Sequence, residues 1–219
     1  MKEYTAKTIK GLIFDLDGVI IFTDRFHFRA WKEMADGMGI YFDEKINNRL
    51  RGVSRMDSLE IILEKYEGAS LSAEKKSELA ERKNKKYREL LNEMTPEDVT
   101  VEVRETLKEL RDRGYKLALG SSSQNARFIL RQVGLTDAFD KISDGNNIIK
   151  SKPDPEVFLK AAQHLELRPE ECAVVEDAYA GIDAAKAGNM TAVAIGDATS
   201  YNRSDIQIEK FADLLNYFK

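Results

Sequence analysis

The sequence predicts an α/β fold, a parallel-sheet core with a helical segment inserted after its first strand, and three observations lead there. The unbroken apolar run Leu12-Ile13-Phe14 ends in Asp15-Leu16-Asp17-Gly18, which reads as an interior strand of a parallel sheet entering a turn. Residues from Tyr41 to Asn92 are heavily charged and show no strand alternation. From Val103 onward helical and strand patterns alternate almost to the C-terminus, the pattern of βαβ units.

Composition bounds the partners. A chain of 219 residues with 42% hydrophobic content builds one domain or two modest ones. A net charge of −4 supplies no basic field for nucleic acid or an anionic membrane, so an anionic substrate must be met by a few local cations. The single cysteine, Cys172, lies in Cys172-Ala173-Val174-Val175; it reads as a small buried hydrophobe, and no disulfide can form within a monomer. Residues 1–10 lack an apolar signal core and no apolar run approaches a membrane span. The expectation is a cytoplasmic, monomeric protein with neither nucleic acid nor membrane as partner.

In chain order, Val19 to Thr23 leads out of the first strand into a helix beginning near Asp24, with Phe26, Ala30, Met34 and Met38 as its buried stripe and Gly37 and Gly39 at its end. His27 and Trp31 lie one turn apart on it, expected away from that stripe. The charged helical insert is broken at Gly52-Val53-Ser54-Arg55 and at Gly68-Ala69-Ser70. Its basic cluster, Glu81 to Lys86, reads for the most part as a solvated face paired to glutamates. Thr95-Pro96-Glu97-Asp98 returns to the core, so the expected division is 1–23 with 97–219 as core and 24–96 as insert. A helix through Val103, Leu107 and Leu110 ends at Gly114, and the strand Lys116 to Leu119 runs into Gly120-Ser121-Ser122-Ser123-Gln124-Asn125. Hydroxyls and backbone N–H groups between a strand and a helix suit a phosphate, although a serine turn is also a common N-cap. A helix through Ile129 and Leu130, a short strand near Phe139 to Ile142, and Lys152 on the proline-stiffened turn Lys152-Pro153-Asp154-Pro155 follow. A helix from Val157 to Leu165 precedes the strand Cys172 to Val175, which ends in Glu176-Asp177. A tight helix from Gly181 to Gly188, a strand from Ala192, a short edge strand and a terminal helix complete the chain.

Ligands of parallel sheets bind beyond the strands' carboxyl ends, where this pattern gathers Asp15, Asp17, Glu176 and Asp177, the hydroxyls of Ser121 to Ser123, and Lys152. Two carboxylates 4 Å apart repel by about 1 kcal/mol in water and about 4 kcal/mol at an effective dielectric of 20, and a divalent ion removes that cost. All-oxygen ligands shared with phosphate and water point to Mg²⁺. Asp15, Asp177 and the Asp17 carbonyl are the expected ligands, with Glu176 orienting a metal-bound water. A carboxylate can serve as nucleophile and a second as general acid and base.

Four motifs stand in order: Asp15-Leu16-Asp17-Gly18-Val19, Ser121, Lys152-Pro153-Asp154-Pro155 and Glu176-Asp177. With them the chain resembles the haloacid dehalogenase superfamily of phosphotransferases, which implies a Rossmann-like core and makes the insert a cap domain. Asp17 argues against dehalogenase chemistry, which needs neither a second aspartate nor a metal. Within the superfamily Thr23, His27-Phe28-Arg29-Ala30-Trp31, Gly52-Val53-Ser54-Arg55, Asp57-Ser58 and Arg82-Lys83-Asn84 resemble the β-phosphoglucomutases. That resemblance implies interconversion of β-D-glucose 1-phosphate and glucose 6-phosphate, with glucose 1,6-bisphosphate as activating phosphate donor. It makes Asp15 the nucleophile and Asp17 the general acid and base. Ser121 and Lys152 hold the transferring phosphate, and Arg55, Ser123 and Asn125 hold the other. His27 and Lys83 position Asp17 and the sugar, Trp31 belongs to the cap wall, and Thr23, Gly52, Val53, Ser54, Ser58 and Ser122 complete the substrate-binding set. Phe22 stands where related enzymes often carry an aspartate. A phosphatase of a small sugar phosphate and, more remotely, a non-catalytic phosphate-binding module remain as alternatives.

Overall fold

Six strands form one sheet in the computed structural model, which describes residues 9–50 and 53–219. They are β1 (Gly11–Phe14), β2 (Lys116–Gly120), β3 (Lys141–Ser143), β4 (Cys172–Glu176), β5 (Thr191–Ala194) and β6 (Ile206–Gln207), in the order β3-β2-β1-β4-β5-β6. Every pairing is parallel. The chain therefore builds outward from β1 in one direction and, at β4, restarts on its other side. The point between β1 and β4 is where the strand order reverses, and ligands of open α/β sheets bind at such a point.

The chain divides into two compact units, Met1–Phe22 with Thr95–Lys219, and Thr23–Met94. In the first, α5 (Val101–Asp112), α6 (Ala126–Gln132), α7 (Glu156–His164), α8 (Tyr179–Ala187) and the short α9 (Leu214–Tyr217) alternate with the strands. The apolar runs become strands because both faces of the sheet are dry: β1 and β4 are buried at every residue. Ile13, Ala118 and Val174 pack with Val157, Phe158 and Ala161 of α7 and with Ile182 and Ala185 of α8 in one cluster. The Thr100 hydroxyl accepts from the Val103 N–H to start α5. The expected strand near Phe139 to Ile142 is shifted to Lys141–Ser143, where it pairs with Ala118 to Gly120.

The second unit is helical, as its charge and missing alternation predict, with α1 (Asp24–Asp36), α2 (Glu44–Asn48), α3 (Arg55–Leu63) and α4 (Ala73–Leu91). Asp43, Ser54 and Ser72 each cap the helix that follows them through a side-chain oxygen. Met34 and Ala35 of α1, Leu59 and Ile62 of α3, and Leu79 and Ala80 of α4 share a core. Trp31 belongs to that core, which corrects its expected place away from the buried stripe. On a helix turning 100° per residue, Trp31 lies next to Ala30 and three residues before Met34, so the apolar face is broader than the stripe of Phe26, Ala30 and Met34 at intervals of four. Met38 lies past the helix end and is half-buried against the same core.

Ile13 is flanked by Ala118 and Val174 in register on either side. Ile13→Ala should destabilise the protein by about 2–5 kcal/mol and Ile13→Val by about 0.5–1.5 kcal/mol. Equal effects in urea unfolding would place this side chain outside the packed core.

Candidate active site

The register of the central strands sets the geometry of the acidic groups. Phe14 of β1 pairs with Val175 of β4, so Asp15 and Glu176 are each one residue further on, side by side at the sheet's carboxyl edge. The Asp15 N–H donates to the Val175 carbonyl at 3.0 Å. Carboxylate oxygens of Asp15, Glu176 and Asp177 all lie within 4.8 Å of one another. Gly18, at φ +84°, takes the backbone over them: a Cβ there would lie 2.0 Å from Asp177 Oδ2, so only glycine lets the turn close on that carboxylate.

Lys152 enters this group from the turn before α7. Its Nζ donates to Asp15 Oδ1 at 2.5 Å and to Glu176 Oε1 at 2.6 Å and rests 4.7 Å from the centre of the Phe158 ring. Its side chain is 6% exposed. The other Glu176 oxygen accepts from the Ala178 N–H at 2.7 Å. Burial by itself would lower the Lys152 pKa, but the Asp15 and Glu176 charges outweigh it and hold the ammonium above its usual range. Burial raises the Asp15 carboxyl to about 7 against the pull of Lys152, with Glu176 and Asp17 adding to the rise. Burial followed by the charges of Glu176 and Asp15 raises Asp177 to about 8. One ammonium among these carboxylates leaves the site short of positive charge.

Asp17 is half-buried in the turn after β1, and its backbone bridges to Ile21. At the end of β2, Ser121 is buried and its Oγ accepts from the Ser123 N–H at 3.2 Å, while Ser123 Oγ accepts from the Asn125 N–H at 3.1 Å. Asn125 is buried at the start of α6. Among the described residues Ser122 Oγ is the one buried side-chain oxygen or nitrogen without a partner. An unsatisfied buried hydroxyl costs about 1–3 kcal/mol, so this loop is built with an unused donor.

Within the second unit, four predicted residues gather around one that sequence reasoning missed, Tyr87. The Tyr87 hydroxyl donates to Thr23 Oγ1 at 3.0 Å, and its ring lies 4.0 Å from that of His27. Lys83 Nζ lies 4.5 Å from the Trp31 ring centre and 4.7 Å from that of Tyr87, and is 2.9 Å from His27 Nδ1. Burial, with the charges of Lys83 and Arg55 added, holds the His27 pKa well below its usual value. An ammonium can only donate, so Nδ1 is the acceptor and the imidazole is neutral. Lys83 is 4% exposed, an exception to the solvated face expected of residues 81 to 86. Tyr87 follows Lys83 by one helical turn on α4, and that spacing is the signal that marks it. Arg55 pairs with Glu81 at 2.9 Å, the Ser54 hydroxyl caps α3 and donates to Asp57 Oδ2 at 2.6 Å, Ser58 is buried and Val53 exposed. Gly52 lies outside the described residues.

Residues 9–189 match the sequence pattern of the haloacid dehalogenase-like hydrolases. The chain belongs to that family. It is 42% identical over 212 residues to a β-phosphoglucomutase of Bacillus subtilis, covering 94% of this chain and 92% of that one. The crystal structure of a β-phosphoglucomutase from Clostridium difficile matches with a TM-score of 0.87 at 36% identity, covering 96% of this chain and 97% of its own. A phosphorylated carbohydrates phosphatase of Thermotoga maritima is 31% identical over 184 residues, covering 83% of this chain and 82% of that protein. The Rossmann-like parallel sheet expected from the sequence is the fold of this haloacid dehalogenase-like enzyme. No helix among the described residues is long and apolar enough to cross a membrane.

Membership of the family implies use of Mg²⁺, and the residues fit that ion: the clustered donors are carboxylate oxygens, and they carry more negative charge than Lys152 offsets. In EDTA, stability should fall as pH rises from about 4 to about 8 and level off above that, because over this interval the folded state still holds protons on Asp15 and Asp177 that the unfolded chain has already released. Mg²⁺ binding needs the ionised carboxylates, so its stabilising effect should grow over the same interval. Calorimetry of the native protein and Asp177→Asn, with and without Mg²⁺, checks both; a stabilisation independent of pH and of Asp177 would place the ion elsewhere.

Proposed function

We propose that the protein acts as a β-phosphoglucomutase, interconverting β-D-glucose 1-phosphate and glucose 6-phosphate through an aspartyl phosphate and glucose 1,6-bisphosphate. The observation that carries this reading is the gathering of Asp15, Lys152, Glu176 and Asp177 at the reversal point of the sheet. It occurs in a chain 42% identical to a β-phosphoglucomutase over nearly all its length. The first unit is then the catalytic core and the second its cap.

Asp15 attacks a phosphorus of the bisphosphate: a bond from Oδ to phosphorus forms as the bond from phosphorus to the sugar oxygen breaks, and Asp17 protonates that oxygen as it leaves. In the return half, Asp17 removes the proton of the sugar hydroxyl that attacks the aspartyl phosphate, and Asp15 is released as a carboxylate. Each half undoes the proton change of the other. Lys152, fixed by two carboxylates, stabilises charge on the transferring phosphoryl oxygens, a role shared with Ser121. Arg55, Ser123 and Asn125 hold the phosphate that is not transferring. Asp15, Asp177 and the Asp17 carbonyl would hold Mg²⁺, with Glu176 supporting the set, and the ion would supply further neutralisation of that phosphoryl charge. The neutral His27, kept so by burial and Lys83, offers a hydrogen bond to a sugar hydroxyl without adding charge. Trp31, Thr23, Val53, Ser54, Ser58, Ser122 and Gly52 complete the substrate-binding set.

A phosphatase is the second reading, favoured by the Thermotoga maritima relative. Incubation with β-glucose 1-phosphate, Mg²⁺ and a trace of the bisphosphate should give glucose 6-phosphate far faster than free phosphate; free phosphate in excess makes the protein a phosphatase. Asp15→Ala should abolish turnover in a folded protein. Asp17→Asn should slow it by about 10²–10⁴, the range of general acid–base catalysis, and a loss below about threefold removes Asp17 from that role.

A further inference from the structure

The serine loop after β2 does not shape itself alone. The turn after β3, residues Asp144 to Asn147, is laced to it through main-chain atoms. The Ser121 N–H donates to the Ser143 carbonyl at 3.1 Å, and the Gly145 N–H donates to the Ser123 carbonyl at 3.2 Å. The Asn146 side-chain amide donates to the Gln124 carbonyl at 2.9 Å. At Gly145 the two segments are too close for any side chain: a Cβ would lie 2.4 Å from the Ser122 carbonyl oxygen and 2.8 Å from the Gln124 nitrogen.

The turn is itself held firmly. Asp144 is 1% exposed, and its Oδ1 accepts from the Asn146 N–H at 2.9 Å and from the Asn146 amide at 3.1 Å. Its Oδ2 accepts from Arg127 Nε at 3.0 Å, and Arg127 lies in the first turn of α6, directly behind the serine loop. The Asp144 N–H donates to Asn147 Oδ1 at 2.9 Å, and Lys160 of α7 donates to the Asn147 carbonyl. Further along, the N–H groups of Ile149 and Lys150 both donate to Glu156 Oε2, at 2.9 and 2.8 Å. The same segment then delivers Lys152 to Asp15. One anchored stretch therefore fixes the serine loop at one end and the ammonium at the other.

We propose that Gly145 and Asn146 are positioning residues for phosphate recognition, setting the serine loop so that its hydroxyls and N–H groups converge on the phosphate. This rests on the reading that Ser121 to Asn125 bind phosphate. Neither residue touches substrate. Asn146 acts by pulling on the Gln124 carbonyl, and Gly145 acts by admitting the loop to van der Waals distance.

The test uses the Mg²⁺-loaded enzyme and inorganic phosphate as probe. Asn146→Ala should raise the calorimetric Kd for phosphate, and the KM for β-glucose 1-phosphate, about three- to tenfold, the factor given by one lost hydrogen bond. It should leave kcat within about twofold and quicken amide exchange in residues 121–125. Gly145→Ala should do more; if it does not fold, Asn146→Ala still decides. Unaltered Kd and amide exchange in Asn146→Ala overturn the proposal, and so does a fall in Tm with Kd unchanged, which makes the contact structural only. Loosened phosphate binding in Asn146→Ala, with a wild-type enzyme that releases free phosphate instead of forming glucose 6-phosphate, supports the positioning role and overturns the mutase instead.

Discussion

The bridge from Lys152 to Asp15 and Glu176 is the contact on which the site depends. At an effective dielectric of 20, two unit charges at 4 Å interact by about 4 kcal/mol, so carboxylates crowded at the end of β1 and β4 would protonate or part if left alone. Lys152 holds two of them in place while remaining charged itself. It cannot neutralise the third, and that residual deficit favours both a divalent cation and the protonation of Asp15 and Asp177 in its absence. A nucleophilic carboxylate has to be ionised to attack. For the nucleophilic role proposed for Asp15, the charge balance around it is thus part of the chemistry as well as of the stability.

A second buried ammonium, Lys83, is held by a different solution. Its neighbours are the faces of Trp31 and Tyr87 and the nitrogen of a neutral imidazole. Ring faces attract a cation without creating an ion pair, so the Trp31 and Tyr87 faces favour an ammonium at Lys83. The same residues keep His27 deprotonated, since burial and the adjacent positive charges act in one direction. Two carboxylates border Lys152, and two ring faces and an imidazole border Lys83.

The sheet was legible because dry strands have to be apolar throughout, and the runs at Leu12, Leu117, Cys172 and Ala192 have few other readings in a chain of this composition. The residues at their carboxyl ends followed from topology, since parallel strands bring those ends to one edge whatever separates them in sequence. Trp31 was misplaced because a four-residue stripe understates the width of a helix face packed on several sides. Tyr87 was overlooked because its chain neighbours, Lys85, Lys86 and Arg88, read as a solvated surface, and the aromatic among them is recognisable only by its spacing from Lys83. The turn Asp144-Gly145-Asn146-Asn147 has the composition of any surface loop. Its main-chain bonds to the serine loop depend on the pairing of β2 with β3, and no local pattern encodes that pairing.

The choice between the two proposed readings is a question of selectivity. A mutase and a phosphatase share the first step, attack of a carboxylate on phosphorus, and differ in what accepts the phosphoryl group from it. The roles proposed for Asp15, Asp17, Lys152 and Asp177 would serve either outcome, so they are silent on the choice. Retaining a sugar bisphosphate long enough to use its second phosphate requires binding that water cannot replace. Under the proposed function, that places the burden on whatever groups hold the distal phosphate and the sugar ring. In a site of this kind the residues that do not react decide which reaction is completed.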